Sequence, residues 1–185
     1  MILYIHGFNS SSGSTKAQQL RAWLRSQGRE TEFACPDLPT SPNKAIDLLE
    51  EHVAAAPTSV RLIGSSLGGF YATVLAARHP ELKAALINPA VHPHLLLRQA
   101  VGPNKNYHTG ATFDFTQAHL DALAALDQPI APHTEHLLLL VETGDDVLDY
   151  RDAVHYYRGC HQIILQGGDH GFTRFADLLP FIDTF

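Results

Sequence analysis

Three short stretches of this chain carry residue types that together can act on an acyl group. Gly64-Ser65-Ser66-Leu67-Gly68-Gly69 has the form G-x-S-x-G, in which a sharp turn lifts the central hydroxyl clear of its surroundings; the register selects Ser66, not Ser65. Only residues without side chains at 64 and 68 let the two flanking backbone segments pass closely enough for that turn. A serine hydroxyl is a weak nucleophile at neutral pH, so it needs a base, and the base needs a third group to orient it. Gly167-Gly168-Asp169-His170-Gly171-Phe172 supplies His170 in a loop freed by glycines. Thr143-Gly144-Asp145-Asp146-Val147-Leu148-Asp149 supplies the acid as Asp145 or Asp146, while Asp149 reads as the cap of a following helix. The chain order serine, acid, histidine separates this arrangement from other triad lineages. An anionic intermediate also needs donors, and the expected pair is the main-chain N–H of Leu67 and that of Phe8, in His6-Gly7-Phe8-Asn9. His6 reads as a structural hydrogen-bonding residue at the end of a buried strand. Against these readings stand plainer ones: a glycine-rich turn packing a helix on a sheet at 64–69, and a surface loop histidine at 170 in a chain with 12 histidines.

The elements that must position these residues are legible as apolar runs. Six of them, all without Pro, alternate with amphipathic segments: Ile2–Ile5, Thr31–Cys35, Val60–Ile63, Lys83–Ile87, Leu137–Val141 and Gln162–Leu165. That alternation is the sequence form of repeated strand–helix units, and hence of a parallel sheet covered on both faces. Ala17, Leu20 and Leu24 recur at helical spacing with Gly28 as the stop, predicting a helix over Thr15–Gln27. Ser41 and Pro42 start a second, with Ile46, Leu49 and Val53 on its buried face. A third begins at Ser66 and ends before Pro80, and two more begin near Asp149 and Thr173. Residues 88–135 break the rhythm with five prolines, from Pro89 to Pro132. They read as an insertion that forms a lid or a pocket, with helices over Leu95–Val101 and Thr116–Leu126 and a polar, turn-rich surface piece at Gly102–Gly110.

Composition narrows the function classes. The 185 residues suit one domain over 1–185; 45% are hydrophobic and 17% charged, far from the mix of disordered chains. A net charge of −6 without any Lys/Arg run argues against nucleic-acid partners. No apolar run is long enough to span a bilayer, and the amino end has no export signal, so a cytoplasmic protein is expected. Cys35 and Cys160 fall near opposite ends of different strands and are expected to stay free thiols. His92 and His94, and His133 and His136, lack a carboxylate or Cys placed to close a site, so no metal is expected. The G-x-G-x-x-G of dinucleotide binding is absent after the first run.

Taken in order, the motifs resemble the YqiA-like esterases, a family of small bacterial α/β-hydrolases. The resemblance rests on His6-Gly7-Phe8-Asn9-Ser10-Ser11 with Ser14 and Lys16-Ala17, on Gly64 to Thr73, and on Asn88-Pro89-Ala90. It continues through Tyr107-His108-Thr109-Gly110, Thr143 to Arg151 and Gly167 to Phe172, and so spans nearly the whole chain. Asp146 stands where Glu is expected and Asp169 where Asn is more usual. The resemblance implies a minimal α/β-hydrolase fold, α/β in class: a six-stranded parallel sheet in spatial order 2-1-3-4-5-6 with helices on both faces. It also implies Ser66, Asp145 and His170 as the triad, acting without a cofactor on a small-molecule partner, a short acyl ester or an acyl-CoA thioester. The same site would serve a serine peptidase or an acyltransferase, and the same scaffold a non-catalytic binding protein.

Overall fold

The computed structural model describes residues 1–185. Seven helices accompany a parallel sheet built from β1 (Ile2–Ile5), β2 (Phe33–Ala34), β3 (Arg61–Ser65), β4 (Lys83–Ile87), β7 (Leu137–Glu142) and β8 (His161–Leu165), in the order β2-β1-β3-β4-β7-β8. Counted among themselves these six strands run 2-1-3-4-5-6, the order expected for an α/β-hydrolase. The helices are α1 (Thr15–Ser26), α2 (Pro42–Ala54), α3 (Leu67–Arg78), α4 (Pro93–Leu96), α5 (Gln117–Leu126), α6 (Tyr150–Tyr156) and α7 (Phe175–Thr184), of which α4 and α5 belong to the stretch between β4 and β7.

Successive strand side chains point to opposite faces, so each apolar run feeds two cores. Leu3, Ile5, Leu62, Leu86 and Leu139 face α2, α3 and α5, in a cluster that also takes Phe70 and Tyr157. Ile2, Tyr4, Ile63, Ile87 and Leu140 face α1 and α7, where Leu20, Leu24, Phe175 and Leu179 cover them. Each fully buried Leu or Ile contributes ~1.5–3 kcal/mol relative to exposure. All six residues of β7 are buried, as a strand covered on both faces requires, and the last of them is a carboxylate, Glu142.

Three expectations are corrected. The second strand is shorter than Thr31–Cys35: Glu30–Glu32 turns as a 3₁₀ helix, with Glu32 held by the Arg29 guanidinium at 2.8 Å, leaving only Phe33 and Ala34 to pair with β1. The helix expected over Leu95–Val101 begins earlier, at Pro93, a residue suited to a first turn, and continues as a 3₁₀ turn over Leu97–Ala100. The piece at Gly102–Gly110 lies at the surface, but its first four residues form a strand where a turn-rich stretch was expected. It is half of an antiparallel hairpin, β5 (Gly102–Lys105) and β6 (Thr112–Phe115), in the register Gly102↔Phe115 and Lys105↔Thr112. A Pro in a two-stranded ribbon needs only an unpaired outer edge, and that is how Pro103 is accommodated. The hairpin is latched to the loop after β1: Asn106 Nδ2 donates to Ser10 O at 2.7 Å and Tyr107 N to Asn9 O at 2.8 Å. No helix is long and apolar enough to cross a membrane.

Candidate active site

Parallel strands end at one edge of a sheet, and the loops after β1, β3, β7 and β8 therefore meet there. Ser66 occupies the turn from β3 into α3 with φ 55° and ψ −122°, a conformation that costs a non-glycine residue ~1–3 kcal/mol. The neighbouring glycines make the turn possible: a Cβ on Gly64 would overlap the Gly68 carbonyl, and one on Gly68 would overlap that of Ile5. Hydrogen bonds from Ser66 N to Ile87 O and from Ala90 N to Ser66 O, both 3.0 Å, clamp the strained residue to the end of β4.

His170 Nε2 stands 3.1 Å from Ser66 Oγ, and His170 Nδ1 stands 2.8 Å from Asp145 Oδ2. The three side chains come together although Ser66 and His170 are 104 residues apart. The second Asp145 oxygen accepts the amides of Val147 at 2.9 Å and Leu148 at 2.8 Å. Burial opposes ionisation of this carboxyl, whose side chain is 2% exposed, but the bonds from His170, Leu148 and Val147 outweigh it and hold its pKa below the usual value. Asp146 points to solvent, and Asp149 caps α6 by accepting the Arg151 amide.

The loop after β1 abuts the nucleophile: a Cβ placed on Gly7 would lie 3.6 Å from Ser66 Oγ. The amides of Phe8 and Leu67 are engaged by no other backbone group. Phe8 is propped edge-on against Phe113 and Phe115 of the hairpin, with ring centroids 6.0 and 5.1 Å away. His6 sits below as a spacer, donating from Nδ1 to Gly7 O at 3.0 Å and accepting Leu38 N at Nε2 at 3.1 Å. Burial lowers its pKa, which favours the neutral ring those two bonds require.

Sequence reading missed the residues that hold the histidine loop. Glu142, fully buried, accepts Asp169 N at 3.0 Å, Thr173 N at 2.9 Å and Thr173 Oγ1 at 2.8 Å. Burial works against its charge, yet these bonds prevail and its pKa is lowered. Gly168 must be glycine, because a Cβ there would enter the Glu142 carboxylate. Asn88 adds a second tie: its Oδ1 accepts Glu142 N at 3.0 Å while its Nδ2 donates to Asp169 O at 3.1 Å and His170 O at 3.2 Å. The available signal was a lone acid closing a run of five apolar residues.

Two cavities open on either side of Phe8. One, of about 460 Å³, is mostly polar and is lined by Ser66, His170, Lys16, Tyr107 and His108. The other, of about 210 Å³, has Leu38, Leu67, Tyr71, Phe113 and Phe115 on its wall together with polar residues such as His6, Thr40 and Asn106. Away from this edge, His92 and His94 converge on Asp127, at 2.6 and 3.4 Å, a carboxylate that spacing alone did not bring into view. No group of three or more His, Cys, Asp or Glu residues is arranged to hold a metal ion.

The chain is similar over 99% of its length to alpha/beta hydrolase domain-containing protein 10 from mouse, at 17% identity and a TM-score of 0.75, covering 88% of that chain. It is similar in the same way to the esterase domain of a Rhodothermus marinus protein, at 19% identity and a TM-score of 0.68, over 99% of this chain and 84% of that one. These likenesses show the α/β-hydrolase fold. In sequence, 100 residues are 34% identical to the biotin biosynthesis bifunctional protein BioHC of Teredinibacter turnerae. That match takes in 50% of this chain and only 17% of the BioHC protein. The profile of the Uncharacterised protein family (UPF0227) matches residues 1–185, and the chain, with the motifs that resemble the YqiA-like proteins, belongs to that family.

Proposed function

We propose that this chain is a serine hydrolase of carboxylic esters or acyl thioesters, short acyl esters and acyl-CoA among them, working through an acyl-enzyme on Ser66. The observation that carries the reading is the unbroken relay from Ser66 Oγ through the His170 ring to Asp145, with contacts of 3.1 and 2.8 Å. Ser66 Oγ attacks the carbonyl carbon while its proton passes to His170 Nε2, and the N–H groups of Phe8 and Leu67 take the oxyanion. As the C–O or C–S bond breaks, His170 returns that proton to the departing alcohol or thiol. Water then adds to the acyl-Ser66 carbonyl and gives a proton to His170; when the tetrahedral species collapses, the carboxylic acid leaves and Ser66 Oγ regains its hydrogen. Asp145 holds Nδ1–H throughout, which keeps Nε2 free to accept. In this reading 88–135 shapes the pocket within one 1–185 domain, and the free Cys35 and Cys160 suit a cytoplasmic setting.

The test is reaction with a fluorophosphonate followed by mapping of the modified residue. Label on Ser66 that is absent from Ser66→Ala is expected. A folded chain that stays unlabelled and turns over no activated ester overturns the reading and leaves a binding protein on this scaffold.

A further inference from the structure

The two cavities beside Ser66 differ in which catalytic group they contain, and that difference assigns their contents. In the proposed mechanism the departing oxygen or sulfur must lie within reach of His170 Nε2, which protonates it. His170 lines the larger cavity and not the smaller one, whereas Leu67 lines only the smaller, and Phe8 borders both. The leaving group therefore occupies the polar cleft, and the acyl chain extends among Leu38, Tyr71, Phe113 and Phe115.

Lys16 is the only Lys or Arg that lines the polar cleft. Its ammonium donates to Gly171 O at 2.8 Å and is within ion-pair distance of no carboxylate. An ammonium carries three donors, so two remain after that bond. The one acid on the cleft wall, Asp169, already turns its Oδ1 to the Gly171 amide at 2.7 Å. Partial desolvation lowers the Lys16 pKa, and only the through-space pull of Asp169, Asp145 and Glu142 works in the other direction. An unpaired, partly desolvated cation facing an open cleft gains most from an anion placed there.

We propose that the cleft at Lys16 is a leaving-group subsite, selecting esters or thioesters whose alcohol or thiol carries a carboxylate or phosphate and whose acyl chain is uncharged. The inference rests on the serine hydrolase reading and adds the charge and side of the substrate to it.

Two matched pairs of probes test it. The butyryl ester of 4-hydroxyphenylacetate is compared with that of methyl 4-hydroxyphenylacetate, and S-butyryl-4′-phosphopantetheine with S-butyryl-pantetheine. Within each pair the acyl bond compared is the same, and the leaving groups differ by one carboxylate or phosphate. The readout is the ratio of kcat/KM for the charged to the neutral member, because any loss of support for the His170 loop lowers both alike. In the native chain the charged member of at least one pair is preferred by about tenfold or more, as a charge-assisted bond implies, and the preference falls as salt is added. Lys16→Met brings that ratio down toward one, Lys16→Glu inverts it, and Lys16→Arg keeps most of it. Turnover of both pairs by the native chain at equal kcat/KM, or a preference that Lys16→Met leaves in place, overturns this inference alone. Absence of turnover on all four probes together with absence of fluorophosphonate labelling overturns the hydrolase reading, and this one with it.

Discussion

Asp145 and Asp146 are chemically identical neighbours, and what separates them is where the chain turns after β7. Oδ1 of Asp145 is taken by the Val147 and Leu148 amides, which leaves Oδ2 facing His170 Nδ1 at 2.8 Å, while Asp146 is exposed. In Asp145→Asn the same amides keep the oxygen, so the new NH₂ faces Nδ1 and forces the ring proton onto Nε2, where it blocks acceptance from Ser66. We expect kcat to fall by up to roughly 10⁴-fold, against about tenfold or less for Asp146→Asn. Steady-state rates on purified, folded variants decide this, and the opposite ranking would move the acid to Asp146. Ser66 and His170 could be singled out in the sequence because each sits among glycines that only a special turn requires. Spacing could not choose between two adjacent acids, and the choice of Asp145 came from resemblance to a family. Lys16 belongs to the motifs that carry that resemblance, but its approach to the cleft depends on where α1 packs and so has no signature in the sequence.

The loop after β8, which carries His170, depends on residues far from it in sequence. Its geometry is imposed from β7 and β4 through Glu142 and Asn88. Glu142→Gln replaces one acceptor oxygen by a donor that must face N–H or O–H donors, whichever way the amide is turned, and each unsatisfied buried group costs about 1–3 kcal/mol. The expected result is faster hydrogen exchange at the Asp169 and Thr173 amides and a loss in kcat larger than the change in KM. Exchange at the native rate would sink the argument. The hairpin makes a second case. Runs such as Leu137–Val141 declare themselves as strands, but Gly102-Pro103-Asn104-Lys105 has none of the residues that favour one, and its pairing is fixed by Phe113 and Phe115 packing on Phe8. The hairpin therefore does two things. Shortening 107–110 should alter preference among esters, because Tyr107 and His108 line the cleft. Asn106→Ala should lower kcat on every ester, because it releases the bond to Ser10 O in the loop that carries the Phe8 amide. An Asn106→Ala variant that changes only preference would contradict this division.

At the scale of the whole molecule, six parallel strands were readable from the apolar runs, while their order came with the resemblance to the α/β-hydrolases and agrees with right-handed crossovers. What closes the structure was not readable, because it is made by charges far apart in sequence. Asp183, near the end of α7, receives Arg29 Nη1 at 2.7 Å and Arg61 Nη2 at 2.7 Å, joining the last helix to the turn after α1 and to the start of β3. The bond from Arg29, and after it that from Arg61, hold the Asp183 carboxyl below its usual pKa despite partial burial. Glu142 and Asp145 are lowered as well. A group whose folded pKa lies below its unfolded value binds fewer protons when folded, so its stabilisation is complete above the unfolded pKa, about 4 for carboxylates, and fades as pH falls through the folded one. Thermal stability should thus hold from neutrality down to about pH 5 as far as these three acids are concerned, then decline steeply below about pH 4. Asp183→Asn should lower Tm at neutral pH and make the acid decline shallower, since that variant has one lowered carboxyl fewer to protonate. Added salt should narrow the gap between variant and native chain, because the cluster is only partly buried. Melting curves from pH 7 to pH 3 at two salt concentrations test the sign: an Asp183→Asn profile parallel to the native one through the acid range would mean that α7 is held by its apolar face, through Phe175, Leu179 and Ile182, and not by this cluster.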